Sequence, residues 1–261
     1  MSALTLAVRD SHTMLRRNLL HARRYPSLTL NLLLTPVMLL LLFVYIFGDA
    51  MSAGIGGGDR SDYIAYLVPG LLLMTIGSTT IGTAVSVSTD MTEGIVARFR
   101  TMAIHRPSVL VGHVVGSVLQ CVMSVILVGA VALAIGFRTT EATALEWLAA
   151  LGLLALFATA LTWIAVGMGL VSPNAEAASN NAMPLIFLPL ISSTFVPVDA
   201  MPGWFQPIAE YQPFTPAIET LRGLLLGTEI GHNAWLAIAW CVALTTLGYL
   251  WSTSVFSRDP R

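Results

Sequence analysis

Apolar residues are not spread evenly along this chain; they gather into long runs separated by short polar breaks. Residues 28–48, 63–89, 108–137, 145–171 and 234–256 each hold about 18 or more residues nearly free of charge, the length that a helix needs to cross a ~30 Å hydrocarbon core. A sixth run, "NAMPLIFLPLISSTFVPV" (181–198), is shorter and is interrupted by Pro184 and Pro189. No alternating strands of ~10 residues are visible, so a β-barrel is not predicted. Backbone in lipid needs internal hydrogen bonds, and the runs are therefore read as helices. The expected fold is an all-α polytopic membrane protein with six transmembrane helices across 28–256.

Composition agrees, since 56% of the 261 residues are hydrophobic and only 10% are charged. Cys121 and Cys241 both fall inside expected spans, which argues against a disulfide framework. The first 27 residues carry five arginines and no apolar core, unlike a cleavable signal peptide. Leu4, Val8, Leu15, Leu19 and Ala22 share one face at helical spacing, with Arg9, Arg16, Arg17, Arg23 and Arg24 broadly opposite. Residues 1–27 thus read as an amphipathic helix in the cytoplasmic interface or as a plain positive-inside anchor.

Charge then orients the spans. All 13 basic residues are Arg. With six spans, Arg9, Arg16, Arg17, Arg23, Arg24, Arg98, Arg100, Arg106, Arg258 and Arg261 lie on one side, along with the 172–180 loop. Arg60, Arg138 and Arg222 lie on the other. Both termini, including the tail 257–261, are expected in the cytoplasm of a bacterial plasma membrane. Nothing here calls for nucleic acid. Without Lys there is no P-loop, so nucleotide hydrolysis by that route needs another chain.

Two polar segments interrupt this scheme. "DMTEGIVARFRTMAIHRP" (90–107) is expected on the cytoplasmic side. As a helix it places Met91, Ile95, Phe99 and Met102 on one face and Glu93 and Arg100 on the other. That pattern suits a short helix resting on the membrane domain and facing a soluble partner; it also suits a solvated positive-inside loop. The external segment from Asp199 to Leu226 is too polar and proline-rich to span, yet carries Trp204, Phe205, Phe214 and Leu224 to Leu226. A re-entrant helical hairpin accounts for this, as does an interfacial loop with an aromatic belt.

Candidate pathway residues are few. Thr75, Ser78, Thr79, Gly82 and Ser86 form a polar stripe on the second span; such hydroxyls line a path or bond their own backbone. Gly112, Gly116, Gln120 and Ser124, at steps of four, read as close helix packing. Phe187, Phe195 and Met123 offer adaptable apolar walls. No acid, base or Arg is expected deep in a span, which argues against an ion-driven carrier. Clustered catalytic side chains and metal-ligand spacings are also lacking.

Two motifs carry a family resemblance. "EGIVARFRTMAIHRPSVLVGHVVG" resembles the cytoplasmic connection of ATP-binding-cassette export permeases of the daunorubicin-resistance type, through Glu93, Gly94, Ile95, Arg98, Phe99, Arg100, Met102 and Arg106. "FVPVDAMPGWFQPIAEYQPFTPAIETLRGLLLG" is similar to that family's segment before the last span, through Val196, Pro197, Met201, Pro202, Trp204, Pro213, Leu221, Arg222 and Gly223. "YIAYLVPGLLLMT" is a weaker match. Gln212 stands where Asn is usual, and His105 where a small polar residue is commoner. The resemblance implies a permease half that pairs with an identical or related second chain and with two separate ATPase subunits. It makes 90–107, from Met91 to Met102, a coupling helix. It makes 199–226 an extracellular re-entrant hairpin that helps close the outer end, with Met201, Trp204, Phe205 and Phe214 as gate residues. No cofactor is expected on this chain; ATP and Mg belong to the ATPase, and membrane lipids and a hydrophobic cargo complete the partners. The competing expectations are an ion-coupled secondary transporter and a membrane anchor subunit without an ATPase.

Overall fold

A computed structural model describes residues 26–46, 48, 60–92, 106–138 and 142–257. The expected interface helix, the 93–105 part of the expected coupling segment and most of the C-terminal tail lie outside them. The described residues form nine α-helices: α1 (Pro26–Tyr45), α2 (Arg60–Thr92), α3 (Arg106–Ile135), α4 (Ala144–Val171), α5 (Ala175–Ala182), α6 (Pro184–Leu190), α7 (Gln206–Tyr211), α8 (Phe214–Leu226) and α9 (Asn233–Ser257). Among them, four are long and apolar enough to cross a membrane, over Ser61–Thr92, Leu110–Ile135, Ala144–Val171 and Asn233–Ser257. A shorter apolar helix covers Leu34–Tyr45.

Helix α2 is the centre, packing against α1, α3, α4, α5, α6 and α8. Its apolar window is 78% buried, against 17% for α9, so α2 is the core shaft and α9 a peripheral wall. Most exposed residues of α9, among them Val242, Leu247 and Leu250, are apolar, as suits a lipid-facing surface. The same holds for Met123, Ile126 and Leu133 on α3.

Helix directions alternate. Thr83 on α2 hydrogen-bonds Ser117 on α3, and Asp90 meets His113, so these two helices are antiparallel. Ser88 donates to Ser172 O at the end of α4, and Gly169 of α4 lies against Ala84, so α2 and α4 run the same way. Helix α4 starts at a capping box, in which Thr143 Oγ1 accepts from the Glu146 amide and Glu146 accepts from the Thr143 amide at 2.6 Å.

The segment expected as a cytoplasmic loop, 172–180, is largely helical. Asn174 caps α5 by accepting the Ala177 amide at 2.8 Å, and the Ala-rich stretch that follows has good helix propensity. The short fifth run is not one regular helix. It is divided among α5, α6 and a non-helical stretch at 191–197, with Pro184 at the start of α6 and Pro189 near its end. Together these pieces run antiparallel along α2. Ser172 lies by Ser88, Leu185 by Gly77 and Thr194 by Gly70, which covers about 27 Å of α2. Two glycines permit this contact. A Cβ on Gly77 would sit 2.5 Å from Leu185 O, and one on Gly70 would sit 2.6 Å from Thr194 Cγ2 and 2.8 Å from its Cα.

Candidate functional site

The conspicuous chemistry lies at the two ends of α2. At one end, non-helical backbone at 191–197 frees carbonyls that a continuous helix would have bonded. Side chains meet them. Ser192 Oγ donates to Pro189 O at 2.5 Å and shares a 2.8 Å hydrogen bond with Thr194 Oγ1. Ser193 O accepts the Tyr66 hydroxyl at 2.9 Å and Arg222 Nη2 at 2.6 Å.

Arg222 is the hub of this cluster and is only 4% exposed. Its Nε and Nη2 donate to Tyr66 O at 3.2 and 3.0 Å, and its Nη1 donates to Ser193 Oγ at 3.3 Å and to Glu219 Oε1 at 2.5 Å. The guanidinium also sits 3.7 Å above the Tyr66 ring. A buried cation needs a counter-charge and acceptors for its N–H fork. Glu219, one turn earlier on α8, supplies the charge; α2 and the helix break supply the acceptors.

The chain around Asp199–Leu226 packs inward from this end. A single 3₁₀ turn (Val198–Ala200) precedes α7, and Gln206 Nε2 donates to Met201 O at 3.0 Å. Between α7 and α8, Gln212 Nε2 reaches Leu188 O at 3.4 Å, and Thr215 Oγ1 donates to Ala209 O at 2.5 Å. Trp240 Nε1 donates to Tyr211 O at 2.9 Å; Trp240 lies about 10 Å along α9 from its start. Phe214 packs edge-on to Phe157 with centroids 4.9 Å apart, about 20 Å along α4 from its start.

At the opposite end of α2, His113 Nε2 lies 3.1 Å from Asp90 Oδ2, both buried. The Thr83–Ser117 hydrogen bond lies about two turns further in. These contacts fasten α2 to α3 beside Thr92 and Arg106, the two helix ends that residues 93–105 connect.

The residues expected to line a pathway differ in their surroundings. Thr75 Oγ1 donates to Leu71 O at 2.7 Å, while Ser78 and Thr79 both donate to Thr75 O, at 2.9 and 2.8 Å. All three thus bond their own helix, and Thr75 and Thr79 are buried in packing. Ser86 is exposed, as is Phe187 at 57%, and Phe195 stacks on Phe43 at 4.4 Å between centroids. Of the expected gate residues, Trp204 is exposed and edge-on to Phe205 at 5.4 Å, Met201 is half-buried and Phe214 is fully buried. Met91 is half-buried at the end of α2, whereas Glu93, Gly94, Ile95, Arg98, Phe99, Arg100 and Met102 lie outside the described residues.

Sequence reasoning counted Arg222 as an outward charge and did not single out Tyr66 or Ser193. The signal was present: a lone Arg in "ETLRGLLL", with Glu three residues before it, sits in an otherwise apolar helix. Asp90 was read as part of a charged interruption and His113 was not singled out; only the antiparallel register joins them.

Comparison with known proteins agrees with this architecture. Residues 10–226 match the family described as ABC-2 type transporter. The daunorubicin resistance ABC transporter permease protein DrrB1 of Streptomyces coeruleorubidus is 30% identical over 230 residues, which is 87% of this chain and 78% of that protein. A probable doxorubicin resistance ABC transporter permease protein, DrrC, of Mycobacterium tuberculosis is 25% identical over 200 residues, covering 68% of this chain and 67% of its own. With the family match covering most of the chain and the helices of a polytopic membrane protein in place, the chain belongs to the ABC-2 type transporter membrane family.

Proposed function

We propose that this chain is the permease subunit of an ATP-driven exporter that moves a hydrophobic, drug-like compound or lipid outward. The observation that carries the reading is the family match over residues 10–226, with relatives named as drug-resistance permeases. In this reading two permease chains, identical or related, form the membrane domain. Separate ATPase subunits bind ATP and Mg below it. Six crossings follow when α5, α6 and the stretch to Thr194 are taken as one broken span beside α2. Alternating helix direction supports that count, and the arginine asymmetry supports cytoplasmic termini. The inward-packed α7–α8 pair is then an external re-entrant hairpin, whose non-helical backbone is tolerated because it is buried in protein.

Coupling is assigned to 90–107. The Asp90–His113 contact supports this, because it holds together the two helix ends between which 93–105 runs. A movement imposed on that segment would reach α2 and α3 together. Phe99 is the apolar anchor, and Glu93 and Arg100 are the polar rim.

The test is expression of Phe99→Ala with the cognate ATPase, followed by co-purification and cargo transport per ATP hydrolysed. An aromatic anchor cut to Ala commonly costs more than ~2 kcal/mol of binding. Loss of assembly, or hydrolysis without transport, is expected while the membrane domain stays folded. Wild-type behaviour on all three measures would defeat the coupling assignment.

A further inference from the structure

Arg222 is buried where membrane proteins seldom bury a cation, and its contacts come from three elements at once. α8 contributes Glu219, α2 contributes the Tyr66 carbonyl and ring, and the helix break contributes Ser193. We propose that Arg222 is a positioning residue for the transport cycle: it latches the upper arm of the hairpin, α8, onto α2 and the break at Ser193, and the outer end opens when that latch releases. The inference deepens the exporter reading and rests on it.

Both ends of α8 combine apolar packing with contacts to the break: Thr215 Oγ1, beside Phe214, accepts from the Ser193 amide at 3.3 Å, and Leu221 and Leu225, beside Arg222, are fully buried. The first residue of α8, Phe214, is locked by apolar packing against Phe157. At Arg222, two turns later, the partner on the break is Ser193, flanked by the small residues Ser192 and Thr194, with Gly70 against Thr194. Release at Arg222 itself breaks polar contacts to the small residue Ser193 of the break. Polar contacts can be replaced by water, and Glu219 marks the open side of the pair, its side chain being 31% exposed against 5% for Arg222. Release therefore turns the Arg222–Glu219 pair toward solvent with its charge still balanced. Tyr66 keeps score of the closed state, since its hydroxyl and Arg222 share the same acceptor, Ser193 O, at 2.9 and 2.6 Å.

The experiment measures access beneath α8. The permease, with Cys121→Ala and Cys241→Ala, carries Ala217→Cys as a probe, because Ala217 is fully buried on α8. The complex with its ATPase is placed in lipid nanodiscs, where a hydrophilic maleimide reaches both faces. Slow labelling is expected without ATP. Arg222→Gln should raise the rate about tenfold or more, because several hydrogen bonds to a charged group are lost together. Arg222→Lys keeps the Glu219 pair but lacks the fork that spans Tyr66 O and Ser193 O, and should raise it less. Tyr66→Phe, which keeps the ring, should give the smallest rise. ATP and cargo should accelerate labelling of the Arg222 protein and add nothing to Arg222→Gln.

Background labelling of a folded Arg222→Gln complex overturns the latch. If that variant does not fold, background labelling of both Arg222→Lys and Tyr66→Phe overturns it. ATP-driven transport with no ATP effect on labelling of the Arg222 protein overturns the role in the cycle. A complex in which ATP drives neither labelling nor transport marks failure of the exporter reading instead, and a raised rate in Arg222→Gln would still support the closed-state contact.

Discussion

The two ends of α2 are both fastened by buried polar side chains, but they fasten different things. At the Tyr66 end one guanidinium serves acceptors from three elements, and among them is a carbonyl freed by a break in the helix path. At the Asp90 end the His113 ring meets the Asp90 carboxylate, between two regular helices whose backbones are already bonded. The first cluster satisfies the Ser193 carbonyl in a non-helical stretch; the second joins two regular helices. Irregular backbone in a membrane domain is thus tolerated at the cost of a dedicated polar partner, and α2 supplies much of one.

This contrast sets the order of expected effects. The largest belongs to Gly70→Val. Its side chain would be driven into Thr194, whose backbone cannot retreat while Ser193 is bonded to Tyr66 and Arg222. Overpacking of this kind costs about 3 kcal/mol, and a large drop in the thermal midpoint of the solubilised protein is expected. An unchanged midpoint would mean that the break is not clamped to α2.

A smaller effect is expected from His113→Ala, which takes one hydrogen-bond partner from the buried carboxylate of Asp90. About 1–2 kcal/mol of stability should be lost. The comparison sharpens if transport per ATP falls further than stability does, since that end lies beside the segment assigned to coupling. A loss as large as that of Gly70→Val would break the comparison, making both ends equally structural.

The smallest effect is expected at the Thr83–Ser117 rung. Interhelical hydrogen bonds in membranes average about 0.6 kcal/mol. Thr83→Val should cost about that much, and adding Ser117→Ala should cost little more, because no lone polar group is then left behind. A double-mutant cycle on thermal stability measures the coupling; a coupling above about 2 kcal/mol would contradict the rank order.

Much of the helical frame was legible in the hydropathy pattern. The expected spans at 63–89, 108–137, 145–171 and 234–256 fall on α2, α3, α4 and α9 to within three residues at each end. Long apolar runs are a one-residue-at-a-time property, and summing over 20 of them is robust. Helix α5 was missed because its only apolar residues are alanines, although the Asn174 cap was there to be read. The fifth run was marked as short and proline-broken, but its path along α2 depends on Gly70 and Gly77, whose role appears only when a partner backbone arrives. The polar stripe at Thr75, Ser78 and Thr79 was equally consistent with a pathway and with bonds to its own helix; the geometry supplies the bonds.

By itself, then, the sequence determined what each segment could tolerate: which stretches suit lipid, where proline and glycine interrupt a helix, and which two motifs tie the chain to the ABC-2 family. Tertiary structure decided which polar groups meet. Arg222 and Tyr66 stand 156 positions apart, and no local pattern announces their contact. The six-span count put Arg222 on the outer side, where a charge can meet water. The fold buries it because Glu219, Tyr66 and Ser193 together replace that water, and satisfying a buried cation takes several groups that only the packed chain brings to one place.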